Sequence, residues 1–439
     1  MKRSTTTITR LPLLVFSYLA YTGLSAAQTT PPPSNQHLSQ EELRLRYEWR
    51  DSMAKVPAPR KGCFQSDYPS KTWQETACGA PRKNPMLPRR ATGSLTVGND
   101  NDISAGAPSG FISTALGSFS SVVNVTSESS PVGAGNPVAN AYTLQLNTNY
   151  FNNKICSGTA QCGWEQFAFE NDGNGGNGFI QYWLLQYNKA CPTGWVTYPI
   201  GTDTYCYRDS PFVAVPNQPI TSLAQLSLRG TVSASADSVI VSAGSSLYMV
   251  SGDNSLNAVA GWQNAEFNVF GDGGGGQAVF NSGAQIVPRI DITYGGTAAP
   301  VCVATGYTGE TNNLSFGSSA PAAPSQGPAI IFNEGTTGSS TASCTDAATV
   351  GENNSAPPPG TCPQQNLTLQ GTISSGPILE QAYGTITANS FLVNGSANVM
   401  LQAGNTIYLK PGFQAMAGSA GTTFQASINP AIQPCAGNR

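Results

Sequence analysis

Histidine is almost absent. The chain has 439 residues and one histidine, His37, which lies in a Pro/Ser/Gln-rich stretch near the start. Ser-His-Asp and Cys-His machinery is therefore excluded from the body of the protein, as is histidine-ligated zinc or haem. Charge is also scarce, with Asp, Glu, Lys and Arg making up 10% of residues. Beyond the first 90 residues basic side chains are too few to neutralise a nucleic-acid backbone, so no nucleic-acid partner is expected. No Cys-x-x-Cys pair is present, which removes the usual zinc frameworks. No metal and no cofactor is expected. Long apolar runs are missing too. The longest, Leu11 to Ala20, is too short to span a bilayer.

What remains is rich in Gly, Ser, Thr, Asn and Pro, a composition suited to many turns and short strands rather than helices. Residues 1–27 have the form of a signal peptide. Lys2, Arg3 and Arg10 precede the apolar run, and Ser25-Ala-Ala27 supplies small residues for cleavage. The expected location is secreted or at the cell surface. Ten cysteines agree with export, and taking neighbours in order gives Cys63–Cys78, Cys156–Cys162, Cys191–Cys206, Cys302–Cys344 and Cys362–Cys435.

Charge divides the chain. Residues 1–90 hold fourteen Lys/Arg against six Asp/Glu, and the remainder holds seven against eighteen. A basic leader, residues 28–92, thus precedes an acidic body. Ser39 and Glu42 form a capping box with Leu38 and Leu43 as its staple, which predicts a helix from Gln40 to Met53. The leader is either an arm packed on the body or a propeptide held by charge and ending near Arg89-Arg90.

Residues 93–346 show alternating segments, among them Tyr142 to Asn147, Trp164 to Glu170, Phe179 to Tyr187, Val239 to Val241, Ile286 to Ile292 and Ala329 to Phe332. They predict one β-sandwich or jelly roll, so the fold class is all-β. A Pro-rich linker covers 347–361. In 362–439 short apolar triplets recur every six to ten residues between Gly/Asn turns, which suits stacked β-rungs. With Leu409-Lys-Pro-Gly-Phe413 and Gly418-Ser419, this region resembles the three-coathanger stack repeat of exported bacterial proteins. The resemblance implies a surface-attachment or secretion-associated module.

Candidate chemistry centres on "NAEFNVFGDGGGG", Asn264 to Gly276. Alternation puts Glu266, Asn268 and Phe270 on one side of a strand. In Gly163 to Glu170, Trp164, Gln166, Ala168 and Glu170 share a face. The aromatic-rich run Gly178 to Tyr187 lies between the two. The glycines predict a turn, since a phosphate loop would need a following Lys-Ser/Thr. Asp100-Asn-Asp102 also reads as a turn. Glu165, Glu170 and Glu266 are available as a glycosidase pair, with nothing in their spacing to select one.

The order Gln166, Tyr182-Trp183, Ala265-Glu266-Phe267, then Gln277-Ala-Val-Phe280, resembles the glutamic endopeptidases (eqolisin type), acid proteases with a lectin-like, concanavalin-like jelly roll. The resemblance implies a catalytic dyad of Glu266 as general base and Gln166 as oxyanion donor, with Gln181 as the alternative amide. It covers about 130 residues, and Phe267 stands where the family has Trp. Trp164, Tyr182 and Trp183 are expected to line the groove. The competing expectation is a non-catalytic protein that holds a protein or glycan in that aromatic groove.

Overall fold

The computed structural model describes residues 40–81, 85–89, 96–132, 135–156, 158–296, 298–317, 329–337, 344–347, 364–373, 377–394, 398–416 and 423–428. The expected signal segment, all of the expected linker but Ala347, Leu38 and Ser39 of the capping box and staple, Gly418-Ser419, and both Cys362 and Cys435 lie outside them. The expected helix runs Gln40–Ala54, and nearly all other regular structure is strand.

The body is a sandwich of two antiparallel sheets. The first sheet runs in the order Gln74–Thr76, Gly62–Asp67, Ser246–Ser251, Ser238–Ala243, Leu226–Thr231, Thr114–Val123, Gln285–Thr293, Ala329–Phe332, Cys344–Ala347. The second runs Val196–Ile200, Asp203–Asp209, Gly175–Leu184, Gly163–Asp172, Ala141–Thr148, Asn264–Gly271, Ser104–Gly106, Val301–Val303. Period-two alternation explains the core between them. Leu144, Leu146, Phe167, Phe169, Ile180 and Phe267 point inward from the second sheet and are buried against Val239, Val241 and Ile290 of the first.

Two glycines set the spacing of the sheets. A Cβ on Gly117 would lie 2.0 Å from the Phe267 ring, and one on Gly230 would lie 2.3 Å from Phe167. The first sheet therefore presents bare backbone where the second inserts its largest side chains, and the layers interdigitate at interior density.

The leader completes both sheets. Gly62–Asp67 adds a strand beside Ser246–Ser251, and Cys78–Gly79 pairs with Phe212–Pro216. The helix buries Trp49 and Met53 against Phe64, Trp73, Ile240, Leu247 and Met249 on the outer face of the first sheet. The disulfides Cys63–Cys78, Cys156–Cys162, Cys191–Cys206 and Cys302–Cys344 form as expected. They are the usual equipment of a chain that matures in an oxidising compartment. Among the described residues no helix is long and apolar enough to cross a membrane.

The C-terminal strands pair in parallel, unlike those of the body. Pro377–Val393 lies between Gln364–Ile373 and the strands Asn398–Ala403, Thr406–Leu409 and Gln414–Ala415, and Thr423–Ile428 stacks on Asn398–Ala403. Ile386 pairs with Leu367 on one side and Ile407 on the other, so like residues stack rung upon rung. One expectation fails in detail. The expected short triplets are not all separated by turns, since Pro377–Val393 is one continuous seventeen-residue strand. A continuous strand keeps its ladder hydrogen bonds where a turn would break them.

Candidate active site

Five neighbouring strands bring the candidate residues into one row. Glu266 is opposite Asn147, Asn147 is opposite Gln166, Gln166 is opposite Gln181, and Gln181 is opposite Asp209. Register partners point to the same face, so all five side chains stand on the outer face of the second sheet. Glu266, Asn147, Gln166 and Gln181 are fully buried.

Hydrogen bonds run along this row. Asn147 Nδ2 donates to Glu266 Oε2 at 2.9 Å, and Gln166 Nε2 donates to Asn147 Oδ1 at 3.1 Å and to Gln145 Oε1 at 3.2 Å. Glu266 Oε2 also accepts the backbone N–H groups of Tyr307 (2.9 Å) and Thr308 (3.2 Å). Gln181 is committed elsewhere. Its Nε2 donates to Asp209 at 2.7 Å and its Oε1 accepts from Trp183 Nε1 at 2.8 Å. Gln166 is the amide joined to the carboxylate, through Asn147, and its own Oε1 is buried without a protein partner.

Burial dominates the electrostatics. It pushes the Glu266 carboxyl up to about 7, against the opposing pull of the Asn147, Tyr307, Thr308 and Asp102 hydrogen bonds. Asp102 is raised well above the usual carboxylate range by burial and by the charges of Glu266 and Glu334. Asn268 Nδ2 lies between it and Glu334, donating to Asp102 Oδ2 at 3.3 Å and to Glu334 Oε1 at 2.7 Å. Glu334 rises to about 8, again through burial. Asp102, Glu266 and Glu334 thus form one cluster of buried carboxyls.

An extended segment of the leader, Pro85 to Arg89, lies across this face. Gly274 N–H donates to the Pro85 carbonyl at 3.0 Å, and the Met86 N–H donates to Gln181 Oε1 at 3.0 Å. The Leu87 N–H donates to Glu310 Oε1 at 2.8 Å, and the Leu87 carbonyl accepts from the Gly309 N–H at 2.7 Å. The Arg89 N–H reaches the Tyr307 carbonyl at 2.9 Å. Met86 packs with Ala168, Phe179 and Phe212, and Leu87 with Trp164, Trp183, Leu185, Tyr207 and Tyr307. The Arg89 guanidinium stacks over Tyr150 and Tyr307 and pairs with Asp100. Within the row the strap bonds Gln181 directly, and it is bonded in turn to the 307–309 segment that contacts Glu266.

No protein-family model and no curated protein matches this chain. The site is therefore read from its own geometry.

Of the expected groove residues, Trp164 and Trp183 stand on the face of Gln166 and hold Leu87. Tyr182 does not. It points into the sandwich core and donates to the Asp253 carbonyl at 2.7 Å, because adjacent residues of a strand face opposite ways. Glu165 is on that inner face too, so it cannot pair with Glu266. It is raised well above the carboxylate range by burial and by its contact with Asp237. Glu170 shares the outer face but sits in the row of Thr143 and Phe270. Four residues along a strand is about 13 Å, beyond the reach of a glycosidase pair at ~9.5 Å.

The glycine run does form a turn, with Gly273, Gly274 and Gly275 at positive φ (69°, 63° and 78°) that only glycine adopts freely. Its N–H groups reach the strap and, from Gly275, Glu310 at 3.0 Å. Asn147, Thr308 and Glu310 are absent from the sequence expectations, and Asp102 enters them only as part of a turn. Asn147 was legible: Thr143, Gln145 and Asn147 alternate with Tyr142, Leu144 and Leu146, a polar series opposite an apolar one. The other three lie in loops, where no period exists to assign a face.

Proposed function

We propose that the protein is an acid-acting endopeptidase of glutamic type, made as a precursor whose own leader blocks the site. The observation that carries this reading is the Gln166–Asn147–Glu266 connection on one sheet face beneath an extended peptide. Glu266 would take a proton from the attacking water and return it to the leaving amine. The Gln166 amide would donate to the developing oxyanion. Asn147 positions both, since it accepts from one and donates to the other. Removing the strap would admit water to the face, which relieves the burial that now raises Glu266 and moves its titration back toward acid.

A second reading is peptide binding without cleavage. It is favoured by one observation, that Glu266 Oε2 is already filled by three donors. The test separates them. Purified protein, with and without the leader cut after Arg89, is incubated with denatured substrate from pH 2 to 7 beside Glu266→Gln and Gln166→Ala. Cleavage by the cut wild type, lost by at least about 100-fold in both variants, supports the peptidase. Equal cleavage by wild type and Glu266→Gln would eliminate the dyad. No cleavage by any form would leave binding.

A further inference from the structure

The strap shows how the face recognises a peptide. Every main-chain contact given above is one that any extended chain could make: a glycine N–H for a carbonyl, the Gln181 amide and the Glu310 carboxyl for successive N–H groups, and the 307–309 backbone for the next residues. This is strand addition onto a groove, in which backbone bonds give affinity and side-chain pockets give selection. The two pockets differ. Leu87 enters a cluster walled by Trp164, Trp183, Tyr207 and Tyr307, all buried or nearly so, with Leu185 beside them. Met86 lies on Ala168 and Phe179, a shallower apolar floor with Phe212 at its edge. The side chains that wall the deep pocket carry no formal charge. Trp164 Nε1 and Gln166 Oε1 are buried there without protein partners, two polar atoms beyond what the strap satisfies.

We propose that the groove beneath Pro85–Arg89 is a binding site for an extended, unfolded polypeptide, selecting a leucine-sized aliphatic side chain in the Trp164/Trp183 pocket, with the strap as its resident occupant. The inference deepens the peptidase reading by naming its substrate class, and it rests on that reading only for cleavage, not for binding. Because the strap is tethered, it competes at a high effective concentration, and an added peptide must first overcome it.

The test uses the full-length chain and the synthetic peptide acetyl-Asn-Pro-Met-Leu-Pro-Arg-amide, followed by tryptophan fluorescence and calorimetry. Leu87→Gly, or Leu87→Ala should the first variant not fold, empties the pocket of its own side chain. The peptide is expected to bind these variants at least tenfold more tightly than wild type, and a peptide with Asp in place of Leu at least tenfold more weakly. In unmutated protein, excess peptide is expected to speed hydrogen exchange of the Leu87 and Arg89 amides. Absence of binding by a variant with native near-UV circular dichroism overturns the proposal, as does equal affinity for the Leu and Asp peptides. Peptide that binds but is never cut between pH 2 and 7 sinks the peptidase and leaves this site standing. Cleavage of denatured protein that saturating strap peptide does not slow does the reverse.

Discussion

Gln166 and Glu266 meet through Asn147, whose side chain accepts from the first at 3.1 Å and donates to the second at 2.9 Å. The three come from three adjacent strands, so sheet pairing fixes their spacing more firmly than a loop could. A carboxylate and an amide held this way need no histidine to be oriented.

Asn147→Ala removes both bonds at once. Among the described residues it takes from Glu266 Oε2 its only side-chain donor and leaves the Gln166 amide with Gln145 alone. A buried hydrogen bond to a charged group contributes about 1.5–3 kcal/mol, so a loss of stability of that order is expected at neutral pH. In the leader-cut protein, activity should fall about 10- to 100-fold, chiefly in kcat, because positioning rather than binding is lost. Chemical denaturation and steady-state kinetics check the two parts. Unchanged kcat would remove Asn147 from the site.

Stability should be greatest in acid. Burial raises Glu128 to about 9, Glu334 to about 8, and Glu266 and Asp237 to about 7. A carboxyl whose folded value exceeds its unfolded one is protonated in both states in strong acid, and its stabilisation is then complete. That stabilisation is lost as pH rises from the unfolded value, about 4, through the folded one, here about 7 to 9. Calorimetry should show a Tm at pH 9 at least about 5 °C below that at pH 4. Glu334→Gln, which keeps an acceptor for Asn268 without the charge, should flatten the upper part of this fall. A Tm that rises from pH 4 to 9 would contradict the buried-proton picture.

Apolar burial, rather than charge, should hold the strap. The leader–body ion pairs Arg89–Asp100 and Lys61–Asp253 are partly or largely exposed, and such pairs contribute about 0–1 kcal/mol. Burying Leu87 contributes about 1.5–3 kcal/mol. Arg89→Ala should therefore change the acid activity of the uncut chain less than about threefold, whereas Leu87→Ala should raise it at least about tenfold. The reverse ranking would make the leader an electrostatic latch.

Gly117→Ala tests the seating of the two layers. Its Cβ would fall 2.0 Å from the Phe267 ring, and neither the strand nor the ring can move without disturbing Glu266 next door. A cost of about 1–3 kcal/mol is expected. Gly230→Ala should behave alike against Phe167. Thermal unfolding of each variant measures it, and a neutral result for both would show a looser core than these contacts imply.

The sequence by itself determined a great deal. Scarce charge, abundant turn residues and period-two alternation led to an all-β chain. Near-neighbour cysteines led to the four described disulfides, and the capping box led to the helix Gln40–Ala54. The absence of histidine from the body limited the chemistry before any strand was placed. These features are local, since each depends on residues close along the chain. Only the tertiary structure decided which strands stand side by side. The strands of Glu266, Asn147 and Gln166 are neighbours through a sandwich topology that no period encodes. It also decided Tyr182, which sequence placed in the groove and the pleat turned inward. The strap is the clearest case. Met86 and Leu87 carry no catalytic signature, and nothing nearby in the chain says what they touch. Their place follows from apolar surface on a distant face, which needed covering and found them.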